Sequence, residues 1–140
     1  MRFWDSSAVV PLLVGQAASP RASEWLRQDE GMALWTLTSI EVVSALRRLV
    51  RERALAEEVA LRAEGRMSQI ASVCHLVTDV EAVKGVAARL LRVHPLRAFD
   101  ALQLGAAILW SEGECAGRTL HTLDSRLGQA AQREGFSVPA

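Results

Sequence analysis

The sequence predicts an α/β protein with a parallel sheet covered by helices on both faces. Three observations carry this. Short apolar runs rich in β-branched or aromatic residues recur along the chain, as in "MALWTLT" and "VCHLVT". Between them lie stretches with helical apolar periodicity, most clearly "SIEVVSALRRLVRERAL". Strands that alternate with helices fold as right-handed βαβ units, which gives a parallel sheet buried on both sides. At 140 residues the chain suits a single domain, 1–140, with a real core, and is short for two.

Taken in order, Arg2 to Asp5 reads as a short strand that turns into a helix at "SSAVVPLL". "GQAASPRAS", Gly15 to Ser23, is a connector, and Ala22 to Gln28 is helical. Met32 to Thr38 is the second strand. The helix that follows carries Val42, Ala45, Leu46 and Leu49 as its apolar stripe. "AEEVALRAEGRMSQIA" is a helix folding back on it, Val73 to Thr78 a third strand, and "DVEAVKGVAARLLRV" another helix. "HPLRAFDALQLGAAILW", His94 to Trp110, is helical, with Pro95 suited to its first turn. Gly117 to Asp124 is the last strand, and "SRLGQAAQREG" the last helix, stopped by Gly135.

Half of the residues are hydrophobic, 23% are charged and the formal net charge is zero. That excludes wholesale disorder, and it leaves any anionic partner to a local patch. Lys84 is the only lysine; the other basic residues are arginines, which suit bidentate phosphate contacts, although base composition of the gene explains the bias as well. Two cysteines, Cys74 and Cys115, make neither a disulfide framework nor a metal knuckle, so a reducing cytoplasm is expected. "MRFWDSS" has no signal-peptide pattern, and no apolar run reaches the length of a membrane span.

Four acids stand out by position. Asp5 ends the first strand, Glu41 opens the helix after the second, and Asp124 ends the last strand. Asp100 lies beside Leu96, Leu104 and Ala107 on a helical face expected to meet the core, where an unpaired carboxylate is costly. In a parallel sheet, ligands bind beyond the carboxyl ends of the strands, where these acids are expected to gather. Converging carboxylates with no cationic partners repel one another, and a hard divalent cation with oxygen ligands relieves the repulsion. Each acid also has an ordinary structural use. Asp5 and Asp124 suit helix N-caps, and "TSIE", Thr38 to Glu41, suits a capping box, as does "TDVE" around Asp79. Asp100, placed well past the start of its expected helix, is left with a salt bridge, to Arg97 or to a more distant arginine.

Ser6, Ser7, Ser39 and Thr122 adjoin the acids and are candidates to orient them by hydrogen bonding; all four also suit turns and caps. His75, His94 and His121 lack zinc-ligand spacing, and there is no phosphate-binding glycine loop. Trp4, Trp25, Trp35 and Trp110 suit a core or interface better than base stacking. "RRLVRER", Arg47 to Arg53, is ordinarily a solvated helix face. It begins less than two turns after Glu41, which makes Arg47, Arg48 and Arg51 candidates to contact a phosphate or an acidic partner, and Arg97 is a further candidate.

The motifs "DSSAVVPLL", "LTSIEVVSALRRL", "HPLRAFDALQLGAAI" and "LHTLDSRLGQAAQREGFSV", in that order, resemble those of PIN-domain proteins, and among them the VapC-like toxins of toxin–antitoxin pairs. The resemblance runs from the first residues nearly to the last. It implies a three-layer α/β/α sandwich with a central parallel sheet, and a Mg²⁺- or Mn²⁺-dependent ribonuclease that cuts with a metal-activated water. The family's acidic quartet falls on Asp5, Glu41, Asp100 and Asp124, and its neighbouring hydroxyls on Ser7 and Thr122. The implied partners are RNA, a cognate antitoxin and a second copy of the chain; Ala22 to Leu26 and the helices around Val42 to Ala60 are the expected dimer contacts. Where the family often has "DALHLA", this chain has "DALQLG", with Gln103 and Gly105. Two other readings remain open: a non-catalytic interaction module with the same fold, and a different Mg²⁺-binding α/β protein. The retained acids argue against the first. Against the second stand the missing D-x-D start of a phosphatase and the helical setting of Lys84, the only lysine.

Overall fold

Arg2–Trp4 (β1) is the strand around which the chain is arranged. The computed structural model describes residues 1–140. After β1 come helices Ser6–Leu13 (α1) and Ser19–Gln28 (α2), strand Met32–Trp35 (β2), and helices Thr38–Arg51 (α3) and Glu57–Val73 (α4). The rest is strand His75–Val77 (β3), helices Val80–Val93 (α5) and Ala98–Trp110 (α6), strand Leu120–His121 (β4) and helix Ser125–Arg133 (α7). The sheet is wholly parallel in the order β3-β2-β1-β4, with Phe3 opposite both Ala33 and Leu120. The strands are shorter than the sequence suggests, because their ends turn directly into the helices that follow. The second half of the expected connector is helical: α2 begins at Ser19, whose hydroxyl bonds the Pro11 and Val14 carbonyls at the end of α1.

Alternating side chains of the strands divide the core. Phe3, Ala33 and Trp35 join an apolar cluster with α5, α6 and α7, while Trp4, Met32 and Leu34 join another with α1 to α4. Strand residues are apolar on both sides because both sides are covered. The tryptophans Trp4, Trp25 and Trp35 are buried. Gly135 ends α7 at φ 107°, and the Phe136 and Gly135 N–H groups bond the Ala131 and Gln132 carbonyls, a Schellman stop. No helix is long and apolar enough to cross a membrane.

Several expected contacts are corrected. Ala22, Trp25, Val42, Leu46 and Ala60 are buried in the chain's own core, so these residues are not free to face a second copy. Thr38 is the first residue of α3 rather than its cap; Leu37 takes the cap position without a side-chain bond, and the "TSIE" capping box does not form. At α5 the cap is Asp79, which accepts from the Ala82 N–H, while Glu81 pairs with Lys84.

Gly105 lets α6 approach α5: a Cβ there would lie 3.2 Å from the Val83 carbonyl oxygen and 3.3 Å from the Ala87 nitrogen. Both are backbone atoms of a packed helix and yield little. Gly105→Ala is therefore expected to lower stability by about 1 kcal/mol, as overpacking of about 1–3 kcal/mol exceeds a helix-propensity gain of about 1 kcal/mol. Thermal unfolding checks this; a raised melting temperature would show the interface to be slack.

Candidate metal centre

The acids gather because of the sheet's polarity. β2 and β4 lie on opposite sides of β1, so a crevice opens where the chain leaves these strands. Asp5 follows β1 directly and its N–H bonds the His121 carbonyl at the end of β4. Glu41 lies in the first turn of α3, just after β2, and Asp124 caps α7, just after β4. Asp100 is in the first turn of α6. All four carboxylates thus stand at helix N-termini, whose partial positive charge favours anions.

Asp5 is buried, with 4% of its surface exposed, and is held by neutral donors. The Ser7 hydroxyl and the Thr122 hydroxyl (2.8 Å) both donate to Oδ2, and so does the Ser7 N–H at 3.3 Å, which makes Asp5 the cap of α1 as well. The Ser7 oxygen in turn accepts the Leu123 N–H, tying α1 to the end of β4. Ser6 links two of the acids: its hydroxyl lies 2.8 Å from Glu41 Oε2 and 3.4 Å from Asp5 Oδ1. Ser39 does not join them; its hydroxyl faces the Thr36 carbonyl. Asp124 accepts the Leu127 N–H.

The electrostatics record like charges held together. Burial pushes the Asp5 carboxyl up, against the bonds from Ser7 and Thr122. Burial also pushes Glu41 up to about 6; the bonds from Ser6 and Gln103 oppose this, and the charges of Asp5 and Asp100 add to it. Asp100 is raised by burial, then by Asp124 and Asp5, against the pull of Arg97. Burial is the larger cause in all three, and like charge adds to it at Glu41 and Asp100. Acids elsewhere are ion-paired, such as Glu134 with Arg89 and Glu64 with Arg47, but none of these four is.

Three expectations change here. Asp100 is not deep in its helix, because α6 starts at Ala98 with Arg97 as its cap; Asp100 is half-buried at the helix mouth, and no salt bridge joins it to Arg97. Arg47 is not free for a phosphate. It bonds both Glu57 and Glu64 and fastens α3 to α4, whereas Arg48, Arg51 and Arg97 are exposed. Thr38 and Gln103, passed over as ligand supports, bond each other in the interior, and Gln103 donates to Glu41. The available signal was one amide inside the otherwise apolar "ALQLGAAI", three residues beyond Asp100. The histidines stay apart: His121 is stacked on Trp25, and His94 bonds Glu134.

The donor set is all oxygen, as a hard divalent cation requires, and Glu41 Oε1 is buried with no partner. No three His, Cys, Asp or Glu side chains stand close enough to surround one ion. Mg²⁺ commonly keeps several waters and takes only one or two carboxylates, so the arrangement fits such an ion without enclosing it. A cavity of about 940 Å³ lies at the other end of the sheet, lined by Met1, Gly31, Met32, Cys74 and His75 among others. It has no convergent carboxylates. A groove of about 270 Å³ borders Thr122 and Asp124. Chemistry, rather than size, places the candidate site at the acidic edge.

No protein-family model and no curated protein matches the chain. Solved structures do. The chain is similar to PAE2754 from Pyrobaculum aerophilum, at 22% identity and a TM-score of 0.60, over 98% of this chain and 87% of that one. It is also similar to FitAcB from Neisseria gonorrhoeae, at 18% identity and a TM-score of 0.68, over 100% and 97%. At these identities the likeness establishes a shared fold.

Glu41 gives the site a pH signature. Its carboxyl titrates near 4.5 in the unfolded chain and near 6 in the folded protein, so the folded state binds more protons between those values. Its contribution to stability is full below 4.5 and is lost as pH rises through 6. In chelator at pH 7, Glu41→Gln is expected to be more stable than wild type by about 1 kcal/mol, discounted for partial solvent exposure. The difference should vanish in acid. Thermal unfolding across this range decides it; a variant less stable at pH 7 would remove the repulsion argument.

Proposed function

We propose that the chain is a Mg²⁺- or Mn²⁺-dependent ribonuclease of the PIN type, the toxin of a toxin–antitoxin pair. The observation that carries this reading is a set of four carboxylates at one edge of the sheet with no cationic side chain paired to them, two of which, Glu41 and Asp100, are raised first by burial and then by the charges of the others. The resemblance of the four motifs points the same way, and the fold shared with PAE2754 and FitAcB agrees with it. The division of the core into clusters on opposite strand faces supports the three-layer sandwich.

Asp5, Glu41, Asp100 and Asp124 are the carboxylates from which a cation would take one or two ligands, with water completing its shell. Once bound, it supplies Lewis-acid charge that activates water and offsets the charge of a phosphodiester. The chain's own part is positional. Ser7 and Thr122 fix the Asp5 carboxylate, Ser6 ties it to Glu41, and the helix N-termini favour anionic groups at this edge. Arg48 and Arg51 continue along α3 from Glu41, exposed and unpaired, and Arg97 stands beside Asp100; these suit an RNA backbone. Ile40 and Phe99, neighbours of Glu41 and Asp100 in the chain, are 63% and 59% exposed, and such side chains suit an antitoxin covering this edge. A cytoplasmic location and a homodimer belong to the same proposal.

Mn²⁺ is expected to raise the melting temperature of the wild type but not of Asp100→Asn, and that variant should be at least as stable as the wild type in chelator. Asp5→Asn and Asp100→Asn should both abolish RNA cleavage; a folded Asp100→Asn protein cutting at the wild-type rate would refute the site.

The arginines separate by role. Arg48→Ala/Arg51→Ala should weaken RNA binding and flatten its log–log salt dependence by roughly 1–2. Arg47→Ala should lower the melting temperature instead, since its guanidinium joins two helices. Filter binding at several salt concentrations, with unfolding curves beside it, distinguishes the two; equal effects on RNA binding would contradict this division.

A further inference from the structure

Gln103 is 1% exposed in the middle of α6, among Leu104, Gly105, Ala106 and Ala107, where a leucine would bury more apolar surface and no amide. Its two N–H bonds are both spent: Nε2 lies 3.1 Å from Thr38 Oγ1 and 3.2 Å from Glu41 Oε2. Thr38 is fully buried. The reversed amide would set a carbonyl oxygen against a carboxylate, so the chemistry fixes its orientation. Ser6 donates to the same Glu41 oxygen from α1, at 2.8 Å. One oxygen of Glu41 is therefore held from two elements, and the other, Oε1, is buried without a partner.

We propose that Gln103, braced by Thr38, is a positioning residue that fixes the Glu41 carboxylate by one oxygen and reserves the other for a cation. A neutral amide suits this task. It sets the direction of the carboxylate but leaves its negative charge uncompensated, whereas an arginine or lysine there would supply the counterion itself. The inference rests on Glu41 being a cation ligand, as proposed above, and adds that the affinity of the site depends on a residue that never touches the ion.

The test is the Mn²⁺ concentration that half-saturates the rise in melting temperature, measured on the full chain. Thr38→Val/Gln103→Met replaces the polar pair by an apolar one of similar shape, which removes the clamp without leaving a buried hydroxyl unpaired. Its half-saturating concentration should rise by about 10-fold or more, while its melting temperature in chelator stays near that of the wild type. Gln103→His, which keeps an N–H donor, should recover most of the affinity; a merely structural role would not follow donor capacity. Should the double variant fail to fold, Gln103→Met alone carries the comparison. If the wild type responds to Mn²⁺ and the variants respond at the same concentration, the positioning role is wrong and the metal reading stands. If the wild type does not respond at all, both fall.

Discussion

Like charge gathered at one edge of the sheet is the constraint from which the rest of this molecule can be understood. A parallel sheet sends every strand out through the same edge, and the helices that follow begin there. Asp5, Glu41 and Asp124 sit at such exits, and α6 brings Asp100 to the same edge. Electrostatics alone would disperse them. Short-range bonds to neutral partners hold them instead: Ser6, Ser7, Thr122 and Gln103 all donate without contributing a charge. Arg47 and Arg89 form their ion pairs elsewhere, with Glu57 and Glu64 and with Glu134. A protein built only for stability would distribute them differently, because a carboxylate destabilised by its neighbours lowers the stability of the fold.

Capping and the candidate chemistry are not alternatives here. Asp5 and Asp124 each accept a backbone N–H at the start of their helices, and each also stands in the acidic group. The same helix terminus that needs an acceptor for its first N–H groups also supplies the field that makes a carboxylate tolerable. That is why an acid followed by serine at a strand end can cap its helix and stand in the acidic group at once.

The legible part of the fold was its period and punctuation. Helical stripes and the stop at Gly135 are local, and they survive into the structure with their boundaries moved by a few residues. Strand lengths were overestimated because Thr36, Thr78 and Thr122 have strand-like character but are used in turns leading to helices. Asp100 drew notice for a reason that the structure changes: the helix begins at Ala98, so the residue lies at its mouth rather than on a buried face. Arg47 looked like its exposed neighbours, since its partners Glu57 and Glu64 come from another helix and no local pattern names them. Gln103 was visible only as a departure from a familiar motif, because its use depends on Thr38 and Glu41, more than sixty residues away.

The bond from Thr122 to Asp5 spans 117 residues of chain, and that from Gln103 to Glu41 spans 62. Long closures of this kind cost more chain entropy than the local bonds of a helix. On the ribosome β1 and Asp5 emerge well before β4 and Asp124. A nascent chain that stops short of Thr122 has the acid but not the hydroxyl that holds it, nor the neighbouring carboxylate. The long-range topology thus ties the assembly of this edge to the synthesis of β4.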